Sequence, residues 1–462
     1  MATRAAQTQD TYFRGILARE HPRKHQAGYL REALNVYVPG GILAGRPGLR
    51  PIHAIPFPDP IRGHGWHVYE DGTRELIVAA GEKLYRLLPG ADPVELLLTS
   101  MPDDEQTRAT PLKVNFLSIS GGQNLTFIYD GLNPNLKYDG VTQALTRVGI
   151  KTMLMPPGAP VIAAGVAPNC IEAGKRDYKW TLSSPWHESD LNENPLTVTN
   201  TTCQTNTFSS PTDPANYNDP QVTKWSLYRT NASRGSYRFI GTADIGNDIT
   251  DTTSDAVLEG RTPAEELVNT PPPHPFSALA EHRGQLAAVM IDDLSLVRFS
   301  NQHPDYMVPE GWPDDNEIPV AHGDGDRLAA LSSMHEWLVA FKEVGTWAIA
   351  GEVFEEYKPV PVLAAGGGHR IGIGCFAPGS VIAVENAIMF ASRDGVYRIE
   401  RYESGTGGIH AVRLSGAIDQ LYAALDFSLG SSAAFDRKRR VFMWWGFGAT
   451  RKRREVENLG NE

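Results

Sequence analysis

Apolar and polar residues alternate in short runs through most of this chain, and the clearest run is AIMFASRDGVYRIE, Ala387 to Glu400. A period of two puts successive side chains on opposite faces of a strand. Arg393-Asp394-Gly395 separates two such runs, and Asp-Gly supplies the positive φ that a tight reversal needs, so the stretch predicts a β-hairpin. The phrase returns as ELIVAAGEKLYRLL (Glu75 to Leu88), LTFIYDGLNPNLKYDG (Leu125 to Gly140), QLAAVMIDDLSLVRFS (Gln285 to Ser300) and WLVAFKEVGTWAIAG (Trp337 to Gly351). A truncated copy, RVFMWWG, runs from Arg440 to Gly446. A hairpin repeated at roughly fifty-residue spacing predicts a β-propeller, one copy per blade.

Taken in order, Met1 to Ala27 reads as a polar arm with basic residues at Arg19 and Arg23-Lys24. Ala33 to Val38 is a candidate closing strand for the last blade, followed by a Pro-Gly-Gly turn and Arg46-Pro47-Gly48. Such a strand would close the ring without leaving an exposed edge. His64 to Leu88 supplies the first blade and Val114 to Val148 the second, with a loop between them that holds one short apolar run.

The texture changes at Met155-Pro156-Pro157-Gly158-Ala159-Pro160, where the prolines mark a domain boundary. From there to about Gly260, short alternating runs predict a small sandwich of the immunoglobulin or fibronectin type III kind. Its strands are Asp177 to Leu182, Pro195 to Thr199, Lys224 to Thr230, Tyr237 to Thr242 and Asp248 to Thr252. The polar stretch Asn192 to Asp219 reads as an exposed loop. After Thr270-Pro271-Pro272-Pro273-His274-Pro275 the hairpins resume at Phe276, Asp326 and Gly379. The expected plan is an arm and first part of a propeller over 1–155, an inserted sandwich over 156–261, the remaining blades over 262–450, and a charged tail over 451–462. The predicted class is all-β, a propeller of about six blades.

Composition adds limits. No apolar run approaches the roughly 18 residues of a membrane-spanning helix, and MATRAAQTQDTYFRG carries no apolar core of a secretion signal. Cys170, Cys203 and Cys375 are odd in number and far apart. They suggest neither a metal site nor a disulfide framework, which predicts folding in a reducing compartment. The net charge of −11 argues against a protein that grips nucleic acid by its phosphates. It suits a surface that DNA slides past, or simply a soluble protein.

Chemical motifs are weak. Gly366-Gly367-Gly368-His369-Arg370 and Gly372-Ile373-Gly374 are Gly-rich, but no Lys-Ser/Thr follows, so a close-packed blade loop is the better reading. His322-Gly323-Asp324-Gly325-Asp326 matches a calcium loop only in part. His335-Glu336 stands without the second histidine of a zinc motif. Asp103-Asp104, Asp292-Asp293 and Asp314-Asp315 read as turn residues that bond backbone groups. Arg437-Lys438-Arg439-Arg440 and Arg451 to Arg454 read as a solvated turn and tail, and Trp312, Trp347, Trp444 and Trp445 as blade core. No catalytic, cofactor-binding or metal-binding residue is assigned, no cofactor is expected, and the reading is not an enzyme.

Several stretches resemble tail proteins of tailed bacteriophages. EALNVYVPGGILAGRPGLRPI is similar to their opening strand and Arg-Pro-Gly turn. PPGAP, AGKRDYKWTLSSPWHESDLNENPLTV, DPQVTKWSLYRTNASRGSYRFIGTAD and ITDTTSDAVLEG resemble the fibronectin-III-like module embedded in them. WLVAFKEVGTWAIAGE and GCFAPGSVIAVENAIMFASRDGVYRIE are similar to their late blades. The resemblance implies a tail nozzle, or tail tubular protein B, of a short-tailed phage. Such a protein forms a homo-oligomeric ring, usually a hexamer, below the portal and adaptor, and docks fibres or other tail proteins. DNA passes through the ring without specific binding. It would be made in the host bacterial cytoplasm and reside in the virion tail. Channel-lining and subunit-interface residues are not assigned by the resemblance. A carbohydrate-binding tail adhesin or lectin, and a propeller glycoside hydrolase, remain alternative expectations.

Overall fold

The structure is a computed structural model. The structure describes residues 57–88, 92–96, 109, 111, 113–119, 124–152, 157–211, 219, 221–264, 269–303, 306–351, 354–364, 373–401, 408–418, 422, 431–436 and 441–446, with short strands at 15–16, 29–30, 36–37 and 44–45. Contacts divide the chain into two compact units, Ile52–Ile318 and Met1–Pro51 with Pro319–Glu462.

The fold is all-β. In the first unit a four-stranded antiparallel meander runs Ile61–Val68, Arg74–Ala80, Lys83–Leu87 and Val94–Leu96. A second comprises Asn115–Ser118, Leu125–Tyr129, Leu136–Asp139 and Ala144–Arg147. A third comprises Phe276–His282, Gln285–Met290, Leu296–Phe299 and Glu317–Pro319. In the other unit a fourth runs Leu328–Met334, Trp337–Lys342, Thr346–Ala350 and Lys358–Pro361. The fifth, Ile382–Val384, Ala387–Ser392, Gly395–Arg401 and Ile409–Arg413, gains Leu363–Ala364 in parallel at its edge. A hairpin of Ser431–Asp436 and Val441–Gly446 follows. The four-stranded meander is the unit of a propeller blade.

Burial explains why these sheets stack. A half-solvated antiparallel strand buries alternate residues. Here Leu76, Ile77, Val78, Ala79 and Ala80 are buried in unbroken succession, as are Leu125 to Tyr129 and Gln285 to Met290. Ile77 and Ala79 pack with Ile128, Leu136 and Tyr138 of the second sheet. On that sheet's opposite face, Leu125, Phe127 and Tyr129 pack with Phe276 and Leu286 of the third and with Trp312, which precedes its last strand. The fourth and fifth sheets share a core of the same kind, with Phe341 and Phe390 at 4.9 Å between ring centroids. Burying both faces of such sheets contributes about 25 cal/mol for each Å² of apolar surface removed from water.

Between the second and third sheets lies the predicted small sandwich. Its four-stranded sheet has the order Leu196–Asn200, Gly174–Ser183, Lys224–Arg229, Arg238–Asp244. Its three-stranded sheet has the order Val161–Ala164, Gln204–Phe208, Ile249–Asp251. Both sheets feed one core that includes Tyr178, Trp180, Trp225, Phe208 and Ile249. A short helix, Asp255–Glu259, is capped by Ser254 and ends at Gly260.

Several expectations need correction. Cys170 and Cys203 form a disulfide, so the argument for a reducing compartment loses its basis. Strand pairing brings the two cysteines together: Ile171 and Gln204 exchange backbone hydrogen bonds of 2.8 and 3.0 Å beside them. Asn192 to Asp219 is not an exposed loop. It contains two strands, and Asn192, Asn200, Asn206 and Phe208 are buried, with residues 212–218 and 220 outside the described set. The short apolar run in the loop after Leu88 is the first sheet's fourth strand. Gly395 does not make the turn of its hairpin. Ser392 pairs with Gly395 across Arg393-Asp394, and a Cβ at Gly395 would lie 2.2 Å from Ser415 Oγ, so its absence permits close packing. Val36–Tyr37 pairs with Ala44–Gly45, and no described pairing joins it to 441–446; the rest of Ala33 to Val38 lies outside the described residues.

Candidate functional site

The first strands of the first two sheets meet edge to edge through glycine. IRGHGWHV alternates, so Gly63, Gly65 and His67 share one side and His64, Trp66 and Val68 the other. A Cβ at Gly63 would lie 2.0 Å from the Val114 carbonyl oxygen, and one at Gly65 2.3 Å from Phe116 Cβ. Only glycine permits that approach. Val114 N–H donates to Arg62 O at 3.0 Å, and Val68 N–H to Ser118 Oγ at 3.2 Å. The outward side is open: His64 is exposed, and Trp66 and Val68 are 52 % and 37 % exposed.

His67 seals the inward side. Its Nδ1 is 2.8 Å from Thr126 Oγ1, and its ring meets Tyr69 and Tyr138 edge-on at 4.5 and 5.1 Å. Both tyrosine hydroxyls donate to Glu75 Oε2, at 2.7 and 3.0 Å. Burial keeps the imidazole below its ordinary pKa despite the opposing pull of Glu75 and Asp139. Burial, followed by the hydrogen bond to Glu75, pushes Tyr69 up. The group is therefore a closed packing element with a neutral histidine, not an acid–base pair open to substrate.

A second polar cluster forms the neck of the sandwich, where the chain leaves the second sheet and returns to the third. Lys137 Nζ lies 2.5 Å from both Glu310 carboxylate oxygens, with both side chains almost wholly buried. Glu310 also accepts Gly149 N–H at 2.8 Å. His187 ties the two linkers together. Its Nδ1 accepts Ile150 N–H at 3.1 Å on the outgoing side, which leaves Nε2 to donate to Asn269 O at 2.8 Å on the returning side. Asp190 accepts Asn269 N–H and the Thr270 hydroxyl at 3.0 and 2.7 Å. Gly149 has φ +77°, and a Cβ there would lie 2.6 Å from Pro271 Cβ. Gln221 Nε2 donates to Gly149 O at 3.0 Å, and Arg147 approaches Asp219 at 3.4 Å. Burial pushes His187 below its ordinary pKa, with Glu310 opposing and Lys137 reinforcing.

A third cluster lies inside the sandwich. The fully buried Arg229 bonds Asp251 and Asp255, each at 2.7 Å, and Arg176 grips Asp255 with two bonds of 2.9 and 2.8 Å. Tyr178 donates to Asp251 at 2.9 Å and accepts from Asn206 at 2.9 Å. Burial alone would raise the Asp255 carboxyl; the Arg176 and Arg229 hydrogen bonds outweigh it and hold it at about 2.

The motif candidates resolve into structural roles where they are described. Asp324 receives the buried Lys342 ammonium at 2.7 and 2.8 Å, while Asp326 accepts the N–H groups of Val344 and Gly345. The partial calcium loop therefore folds around a lysine. Asp292 takes a two-pronged bond from Arg298, and Asp293 bonds Ser295 within its turn. His335 sits in the left-handed region at φ +52° and, with Glu336, makes the turn before Trp337. Trp312 is core and Trp347 is half-buried. Gly374 lies against Glu343, where a Cβ would be 2.4 Å from that residue's backbone. Asp103-Asp104, Gly366 to Gly372, Arg437 to Arg440 and Arg451 to Arg454 lie outside the described residues, as do the side chains of Trp444 and Trp445. Among the described residues no group of three or more His, Cys, Asp or Glu side chains is placed to hold a metal ion.

Comparison with known proteins is sparse. No family model matches the chain, and no curated protein matches it. Solved structures give distant likenesses. PorZ of the Porphyromonas gingivalis type-IX secretion system is 9% identical over 78% of this chain and 33% of its own, with a TM-score of 0.26. The extracellular domain of a hybrid two-component system from B. thetaiotaomicron is 11% identical over 83% and 62%, with a TM-score of 0.27. The PQQ-bound aldose sugar dehydrogenase of Streptomyces coelicolor is 9% identical over 75% and 92%, with a TM-score of 0.21. This chain spans about a third of the length of PorZ.

Proposed function

We propose that this chain is a structural virion protein, a component of the tail nozzle or tail tube of a short-tailed bacteriophage. Subunits in a cyclic ring, six by the family resemblance, would surround the DNA ejection channel below the portal and adaptor. Five meanders and the 431–446 hairpin would make a propeller of about six blades. The inserted module would be a fibronectin-III-like sandwich that docks fibres or neighbouring tail proteins.

The observation that carries this reading is how the buried ionisable groups are used. Lys137, Glu310, His187, Asp190, Arg229 and Asp251 bind protein groups that join one element to another. That suits a load-bearing part. The order of the resembling motifs supplies the rest of the support.

The test is antibody labelling of intact, purified phage particles, read by negative-stain microscopy. Label confined to the tail below the neck is the expected result. Label on fibre tips would indicate an adhesin instead. Absence of the protein from the particles' inventory would refute the proposal.

A further inference from the structure

The edges of the sandwich are not alike. Along Arg238–Asp244, Arg261 donates to the carbonyls of Phe239 and Ile240 at 2.8 and 2.7 Å, and Arg238 bridges to Pro263. Leu196–Asn200 turns Thr197 and Thr199 to solvent, and Ile249–Asp251 ends in an aspartate bonded to Arg229. Val161–Ala164 is the fourth edge, and all four of its residues are exposed and apolar. Val161 and Ile162 are 70 % and 42 % exposed, and Val166 just beyond is 79 % exposed. Bare, apolar edges invite pairing with another chain, and proteins ordinarily blunt them with charge or proline.

The backbone of this edge is fixed and its direction can be read. Gly165 N–H donates to Cys203 O at 3.0 Å, and Ala163 and Val161 stand opposite Thr205 and Thr207. Antiparallel alternation then turns the N–H and C=O groups of Ile162 and Ala164 away from the sheet. The segment is held in place by the Cys170–Cys203 disulfide and by the bond from Asn169 N–H to Val166 O.

We propose that Val161–Ala164 is a self-pairing edge, at which two copies of this chain join strand to antiparallel strand about a two-fold axis at Ala163. The sequence favours a second copy over a different partner in two ways. From Thr152 to Ile171 there is no charged residue, in a chain of net charge −11. Two like-charged copies can meet here without placing charge against charge. The register is also self-complementary. Ile162 and Ala164 exchange backbone bonds with Ala164 and Ile162 of the second copy, so a large side chain faces a small one. Val161 faces Gly165, and Ala163 faces itself in the closer, non-bonded pair. A two-fold contact differs in kind from the heterologous contacts of a cyclic ring, so this inference stands apart from the proposed function.

The experiment uses the full chain, with sedimentation and amide hydrogen exchange followed over protein concentration. Ala164→Pro deletes the outward N–H and leaves the inner ladder intact. Ala163→Lys and Ala163→Glu each put like charges across the axis. The expected result is concentration-dependent protection of the Ile162 and Ala164 amides. Ala164→Pro and each charged variant should associate about tenfold or more weakly, and an equimolar mixture of Ala163→Lys and Ala163→Glu chains should pair again. Any of three results overturns the proposal: no rise in protection of these amides with concentration, association that leaves them unprotected, or folded charge variants that fail to pair when mixed. The wild-type exchange measurement decides the matter even where a variant does not fold.

Discussion

Replacing Glu310 by leucine is the sharpest test of the neck. The side chain is fully buried and holds the Lys137 ammonium and the Gly149 N–H. Leucine leaves a buried cation without its counter-ion, a change that costs about 3–5 kcal/mol. It also strands one N–H group beside Pro271, which by itself costs about 1–3 kcal/mol. The double variant Lys137→Met/Glu310→Leu removes the stranded charge and retains only the second loss. It should therefore recover most of the stability lost by the single variant. The chain contains more than one compact unit, so one global midpoint is a poor readout. Exchange of the Gly149, Ile150 and Asn269 amides reports the neck directly, with urea unfolding followed through Trp312 and Trp186 beside it. A single variant costing under about 1 kcal/mol would refute the reasoning. So would a double variant as unstable as the sum of both single variants.

Acid should weaken the neck at His187 and, separately, the hairpin at His282. Burial lowers the pKa of His187, and lowers that of His282, with help from Arg283, to about 4. The unfolded chain then binds more protons than the native one below about pH 6.5, so stability is full above that value and falls as pH drops toward about 4. His187→Gln should flatten the pH dependence of Ile150 exchange while leaving that of the His282 hairpin unchanged. Reducing the Cys170–Cys203 disulfide, or Cys170→Ala with Cys203→Ala, should cost about 2–4 kcal/mol. The loss should appear as lower thermal stability of the sandwich, with the stacked sheets unaffected. Gly65→Val should separate the first two sheets, costing about 1–3 kcal/mol with increased exchange of Val114 and Val68, because Phe116 occupies the space the new side chain needs.

The hairpins were legible because each repeats the same local rule, an apolar strand, a turn and a second strand, and every copy quoted from the sequence contains strand structure. The strands that escaped notice invert that rule. Val161–Ala164 is apolar yet exposed, whereas QTNTF is polar and buries Asn206 and Phe208. Asn206 can lie inside because Tyr178 and Asn200 bond it, a satisfaction that depends on residues far away in sequence. The disulfide escaped for a related reason. Its cysteines are 33 residues apart and become neighbours only through the pairing of Ile171 with Gln204. The neck gave one faint signal, a lysine at position 137 between Leu136 and Tyr138. In a strand buried on both faces, a cation there needs a partner, but nothing in the sequence indicates position 310.

The distribution of buried charge bears on how the sandwich is carried. A module inserted on two strands of chain would swing if its linkers were merely Pro-rich. Here the outgoing and returning strands are bonded to one another through His187, the returning strand is bonded to the sandwich through Asp190, and the outgoing strand is bonded to Glu310, which holds Lys137 of the second sheet. Apolar contacts alone tolerate sliding, whereas hydrogen-bonded buried charges are costly in every arrangement but the one that satisfies them all. The hypothesis for this neck is therefore that its ionic groups fix the orientation of the sandwich more than they add stability. The Lys137→Met/Glu310→Leu variant separates these effects, because it can regain stability without regaining orientation. Spin labels on Val166 and on the exposed Trp66 position should give one narrow distance distribution in the native chain and a broader one in that variant. An equally narrow distribution in both would mean that shape alone sets the angle.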